Sequence, residues 1–166
     1  MLKFAIICPA SIKLQQPQNY RETSQISAFL GALRRIITMI KVLFVCHGNI
    51  CRSTMAQSVF TYFIRQSHLD SCFEIDSAAT SMEEIGNPPH HGTKRKLQQE
   101  QIPLIPHRAR QMTRADYAYY DYLIGMDSAN IRNMTRIAGG SDVEGKICKM
   151  LSFVDYEKTH RLSEAR

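Results

Sequence analysis

Val42-Leu43-Phe44-Val45 is an unbroken apolar run of the kind a strand shows when helices cover both of its faces. Cys46 to Cys51 follows as a tight turn containing Gly48 and Asn49, residues that tolerate left-handed backbone. Immediately afterwards Met55, Ala56, Val59, Phe60, Phe63 and Ile64 recur at helical spacing and predict one apolar helix face. Strand, turn and helix in direct succession open an α/β unit. Further along, Cys72 to Ser77 reads as a strand, and His91 to Gln101 as a helix entered through Pro88-Pro89. A short helix capped by Thr113 is expected to Tyr119, then a buried strand over 122–126, a helix over 128–138 and a last strand over 146–151. This alternation predicts a doubly wound, mostly parallel sheet of about four strands flanked by helices. Ligands bind such sheets beyond the carboxyl ends of the strands, which is where the first loop lies.

The first part of the chain follows a different pattern. Phe4 to Cys8 is apolar but too short for a membrane span or the core of a secretory signal, and Pro9 ends it. Leu14 to Ser27 is polar and rich in glutamine. Residues 1–38 are therefore expected to be an extension, disordered or foreign to the native reading frame, with Met39 as the natural start. Its scarcity of acidic residues leaves a targeting segment as the other reading. The +6 net charge is unevenly distributed. Residues 1–40 carry five basic side chains against Glu22 alone, so 41–166 is close to balanced and gives no nucleic-acid signature. Five cysteines, at 8, 46, 51, 72 and 148, form neither a disulfide framework nor a C-x-x-C zinc pattern. They suit a reduced, cytoplasmic protein that contacts neither nucleic acid nor membrane.

The turn after the first strand carries chemistry. A phosphate monoester needs donors placed in advance around its oxygens. Backbone N–H groups converging at the start of a helix supply them. Arg52 lies six positions after Cys46 and can fold back to grip two oxygens. The same positive field favours a Cys46 thiolate, which can attack phosphorus and form a phosphocysteine that water later hydrolyses. Ser53 offers a hydroxyl to that sulfur. Candidate binding groups are thus His47, Gly48, Asn49, Ile50, Cys51, Arg52 and Ser53, with Cys46 and Arg52 catalytic. A cysteine six positions before an arginine is common by chance, and the surrounding strand, Gly-Asn turn and helix give the motif its weight. Cys46 and Cys51 are also placed where the curvature of the loop could bring their sulfurs together as a disulfide.

The run from Val42 to Ser53, continued by Met55-Ala56, resembles the signature of the low-molecular-weight protein tyrosine phosphatases. Asp76-Ser77-Ala78, Gly86-Asn87-Pro88, His107-Arg108-Ala109-Arg110 and the stretch from Asp121 to Asp127 with Asn130 extend the likeness over about residues 39–153. The resemblance implies a cofactor-free enzyme acting on phosphotyrosine proteins or small aryl phosphates. It also implies that Asn49, Ser53, Ser77 and His107 form a polar network holding the loop; for Ser77 and His107 the rival readings are a strand-end cap and a surface histidine. Asp127 and Asn130 read as a helix cap, His90 and His91 as solvated, and the tyrosines between 117 and 122 as packing.

The family supplies its general acid from an aspartate, usually before a proline, after the last strand. Residues 154–166 form a divergent tail without an Asp-Pro, and Asp155 is their only aspartate, so the acid loop and closing helix of the family have no counterpart there. The expected function is phosphotyrosine hydrolysis, impaired by loss of the acid, with an inactive or weakly active phosphate-binding homologue as the alternative. Phosphoarginine hydrolysis goes in the family with threonine at the position of Ile50, and arsenate reduction with two further neighbouring cysteines.

Overall fold

The computed structural model describes residues 39–153. The expectations for residues 1–38 and for the tail from Val154, Asp155 among them, lie outside these. Strand β1 (Ile40–Cys46) carries the apolar run, and Val42 through Cys46 are all buried. After the loop comes α1 (Arg52–Gln66), then β2 (Phe73–Ala79), α2 (His91–Gln99), α3 (Arg114–Tyr119), β3 (Tyr122–Gly125), α4 (Ser128–Ala138) and β4 (Ile147–Lys149). The four strands pair in the order β2-β1-β3-β4, and every pairing is parallel. Placing β1 centrally puts its carboxyl end, and the loop beginning at Cys46, between β2 and β3. That position fixes the site.

The core has two sides. On one, Leu43, Val45, Ala78, Met112, Tyr120, Leu123 and Met134 pack together. On the other, Phe44, Phe60 and Phe73 meet edge to face at centroid distances of 5.6 and 5.7 Å, joining β1 and β2 to α1. Gly125 ends β3 where α4 comes closest. A Cβ there would stand 2.8 Å from Ile131 Cδ1, so the lack of a side chain lets the helix reach the sheet.

Several boundaries differ from the sequence expectation for local reasons. Cys72 closes a 3-10 turn, and β2 runs on through Ala78 and Ala79, which pair with Val45 and Cys46. The helix from His91 stops at Gln99, because Gln101 takes φ 56° and turns the chain. His90 is exposed but does more than meet solvent: its Nδ1 accepts from Gly92 N–H and caps α2. The last strand is shorter than expected, with residues 150–153 turning into a 3-10 helix.

The largest correction concerns α1. Its buried residues are Ser53, Thr54, Gln57, Ser58 and Ile64, while Phe63 is 57% exposed and Met55, Ala56, Val59 and Phe60 are half-buried. Beside Phe60, which packs on the sheet, this helix turns a polar stripe inward: Ser53 and Thr54 bond the loop, Gln57 bonds β2 and Ser58 accepts from Ile105 N–H. Among the described residues no helix is long and apolar enough to cross a membrane.

Candidate active site

The loop is shaped by hydrogen bonds on its outside. Thr80 N–H donates to Cys46 O at 2.8 Å, Ser81 N–H to His47 O at 3.0 Å, and His90 N–H to Ile50 O at 2.8 Å. In a planar trans peptide the N–H points opposite to the C=O. The N–H groups of His47, Gly48 and Cys51 therefore face the inside of the ring. They join the first-turn N–H groups of α1, which have no acceptor within the helix, and the positive end of that helix carries no acidic side chain in its first turn. This is an anion site made from backbone.

Cys46 lies at its floor. Its Sγ accepts from Asn49 N–H at 3.3 Å and stands 3.1 Å from Ser53 Oγ. Asn49 is fully buried and holds φ 55°, a left-handed conformation that asparagine tolerates better than most residues. Its side chain uses all its capacity. Oδ1 accepts from Arg110 N–H at 3.1 Å and from His107 Nε2 at 2.8 Å; Nδ2 donates to Ser53 Oγ at 2.9 Å and Ser77 Oγ at 3.0 Å. The four residues of the expected network are thus brought together. Burial holds the His107 imidazole below its ordinary 6.5, with Arg110 adding to the effect and Asp76 and Asn49 opposing it. A neutral ring can donate from Nε2 to Asn49.

Three partners were not anticipated from sequence. Gln57, on the buried stripe of α1, accepts from Ser77 Oγ at 2.7 Å and donates to Ile75 O at 3.4 Å. It lies four residues after Ser53, a helical spacing that puts both on one face and was the signal available. Arg110 enters through its backbone, which no side-chain motif reveals. Asp127, expected as a cap, does cap α4, accepting from Asn130 N–H at 2.7 Å, but its other oxygen pairs with Arg52 Nη1 at 2.5 Å. That pair draws the Asp127 carboxyl below the usual carboxylate range.

The remaining loop residues line the rim. His47 is exposed and its Nε2 lies 3.1 Å from Glu83 Oε2. A Cβ on Gly48 would meet Glu84 Cγ at 3.0 Å, so that segment lies close over the loop. Ile50 and Cys51 are half-buried, and Cys46 and Cys51 are both free cysteines.

A buried cysteine cradled by helix-start donors, with an arginine beside it, defines an anion-binding loop with a thiol at its floor. The comparison with known proteins agrees with it. The family model for low molecular weight phosphotyrosine protein phosphatase matches residues 41–163. Low molecular weight phosphotyrosine protein phosphatase of Pongo abelii is 45% identical over 95 residues, covering 57% of this chain and 60% of its own length. Low molecular weight protein-tyrosine-phosphatase YfkJ of Bacillus subtilis is 40% identical over 117 residues, covering 70% of this chain and 74% of its own. The YfkJ crystal structure superposes with a TM-score of 0.68 over 71% of this chain and 74% of that one. A low molecular weight protein tyrosine phosphatase from Streptococcus pyogenes, 36% identical, gives 0.63 over 75% and 85%. The chain belongs to the low molecular weight phosphotyrosine protein phosphatase family. It spans about 60% of the length of the primate relatives it matches.

Proposed function

We propose that this chain hydrolyses phosphotyrosine, or small aryl phosphates, through a phosphocysteine on Cys46. The observation that carries the reading is the pair of donors, Asn49 N–H and Ser53 Oγ, on a sulfur at the centre of a ring of N–H groups. In the proposed reaction the phosphoryl oxygens occupy the ring and Arg52 grips two of them. Cys46 Sγ forms its bond to phosphorus as the bond to the leaving oxygen breaks, and that oxygen departs with the electron pair. Water then attacks phosphorus, the S–P bond breaks, and the electron pair returns to sulfur, whose negative charge Asn49 and Ser53 receive. Isoleucine at position 50 supports aryl phosphate over phosphoarginine, and the wide separation of Cys72 and Cys148 along the chain gives no support to arsenate reduction. The free Cys46, Cys51 and Cys148 thiols are in keeping with a reducing, cytoplasmic setting.

The test uses p-nitrophenyl phosphate with the full chain and Cys46→Ser. Turnover is expected to vanish in the variant while binding of inorganic phosphate or vanadate survives, because the ring of N–H groups is untouched. Wild-type turnover in Cys46→Ser would remove Cys46 from the chemistry.

A further inference from the structure

Asn49 occupies a slot with two walls. Strand β2 forms one and presents Ser77 Oγ; the segment leading to α3 forms the other and presents His107 Nε2 and Arg110 N–H. The walls are joined by backbone, Ala79 N–H donating to Arg110 O at 2.7 Å and Met112 N–H to Ala79 O at 2.8 Å, and by charge through the Arg110 side chain. Arg110 donates from Nε and Nη2 to Asp76 Oδ2 at 3.1 and 2.8 Å, and from Nη1 to both oxygens of Asp116 at 3.1 Å. Asp76 immediately precedes Ser77, so the tie closes one residue from the first wall's contact with Asn49. Its other end is Arg110 itself, whose backbone makes the second wall's contact. Asp116 is in turn held by Thr113 N–H and hydroxyl, as the third residue of α3 in a capping box. Tyr120 Oη adds a longer contact to Asp76 at 3.4 Å.

We propose that Arg110 is a positioning residue for the catalytic loop: locked between Asp76 and Asp116, it holds its backbone N–H on Asn49 and thereby aims the Ser53 hydroxyl at Cys46. This rests on Cys46 being the nucleophile. The direction follows from donor chemistry. A backbone N–H can only donate, so Arg110 decides which end of the Asn49 amide is the oxygen. The amide NH2 must then donate to Ser53 and Ser77. Ser77 passes its own hydrogen to Gln57 Oε1, which is available because the Gln57 NH2 faces Ile75 O. Ser53, having accepted from Asn49, has its hydrogen left for Cys46 Sγ. Loosening the tie frees the amide to turn over, and a turned Asn49 presents an oxygen that takes the Ser53 hydrogen from the sulfur.

The readout is alkylation of Cys46 by iodoacetate across pH, beside p-nitrophenyl phosphate kinetics, with each protein shown folded by its melting curve. Arg110→Lys keeps the charge and loses the fork. Arg110→Met with Asp76→Asn removes the fork and one of its carboxylates together, which avoids leaving Asp76 as an unpaired charge. Asp116→Asn weakens one side only and serves as the mildest variant. Alkylation at neutral pH is expected to fall by about tenfold in the first two, with the profile displaced to higher pH, and by less in the third. Turnover should fall in kcat more than in KM. A purely packing role would lower the melting point and leave the alkylation profile in place. Any folded variant of Arg110 that alkylates at the wild-type rate, with the wild-type pH profile, overturns the assignment. Alkylation needs no phosphate ester, so it decides the role of Arg110 even where the phosphatase reading itself fails.

Discussion

Asn49 concentrates the logic of the site in one side chain. It takes a left-handed backbone, is wholly out of contact with solvent, and meets four partners from three different parts of the chain. Its identity was legible in the sequence as a turn residue beside Gly48, and through family resemblance as part of a network. Its directionality was not, because Arg110 contributes through a backbone N–H that any residue type would carry. The partnership with His107 gives a pH dependence whose sign can be worked out. The folded state holds this imidazole below 6.5, so the unfolded chain takes up the proton first as pH falls. Stability from this group is complete above about 6.5 and is lost as pH drops through the lower folded value. Urea unfolding at pH 7.5 and pH 5 should show the decline, and His107→Gln, which keeps a donor but cannot titrate, should reduce it. An unchanged decline in that variant would assign the effect to other groups.

At the scale of elements, α1 shows how far a hydrophobic pattern can be read. Its existence and extent follow from the apolar spacing, and so does the strand before it. The direction in which it faces does not. Helices in α/β proteins ordinarily turn their apolar stripe to the sheet; this helix packs Phe60 there but gives its other inward positions to polar side chains that partner the loop, β2 and Ile105, and leaves Phe63 exposed. Ser58 illustrates the trade: its hydroxyl donates to Thr54 O at 2.9 Å and accepts from Ile105 N–H at 3.2 Å, with 1% of the residue exposed. Ser58→Ala leaves Ile105 N–H without that acceptor and should cost about 1–2 kcal/mol. Phe63→Ser, at the apolar position most exposed on the helix, should change stability by only about 0.5 kcal/mol. Denaturant midpoints of the two variants measure the contrast, and a larger loss for Phe63→Ser would mean that this ring is covered in solution. The shortened β4 has a similar origin: Asp142 accepts from Lys146 and Ile147 N–H at 3.0 Å each, fixing the entry to the strand, whereas the apolar run through Leu151 marks no exit.

For the whole molecule, the mostly parallel sheet of about four strands and the seat of the loop were legible in the alternation of buried runs, turns and helical spacing, whereas the order of the strands came only from the structure. The source of the leaving-group proton was not legible, since it depends on which carboxylate comes near the mouth. Among the described residues Asp127 is there, paired with Arg52, and Glu83 and Glu84 lie over the loop. The carboxylates near the loop are therefore Asp127, Glu83 and Glu84, and Asp155 lies outside the described residues. With no donor, loss of the leaving oxygen depends on its basicity: p-nitrophenolate departs readily, whereas tyrosine's phenolate, of ordinary pKa near 10, needs a proton. A series of substituted phenyl phosphates is expected to give a steep fall in the transfer rate with leaving-group basicity and much weaker turnover of phosphotyrosine peptides. A shallow series that steepens in Asp155→Asn would identify Asp155 as the donor instead.

The ion pair between Arg52 and Asp127 also bears on what would follow the proposed reaction. An anion reaching the loop meets a guanidinium that already has a carboxylate beside it, so binding is an exchange of partners between two negative groups. In the proposed reaction, inorganic phosphate released from Cys46 would share the site with the same rival, which would draw the arginine back as the product leaves. A carboxylate that weakens the hold on substrate thereby shortens the stay of product, and the two effects balance at the one residue that caps the neighbouring helix.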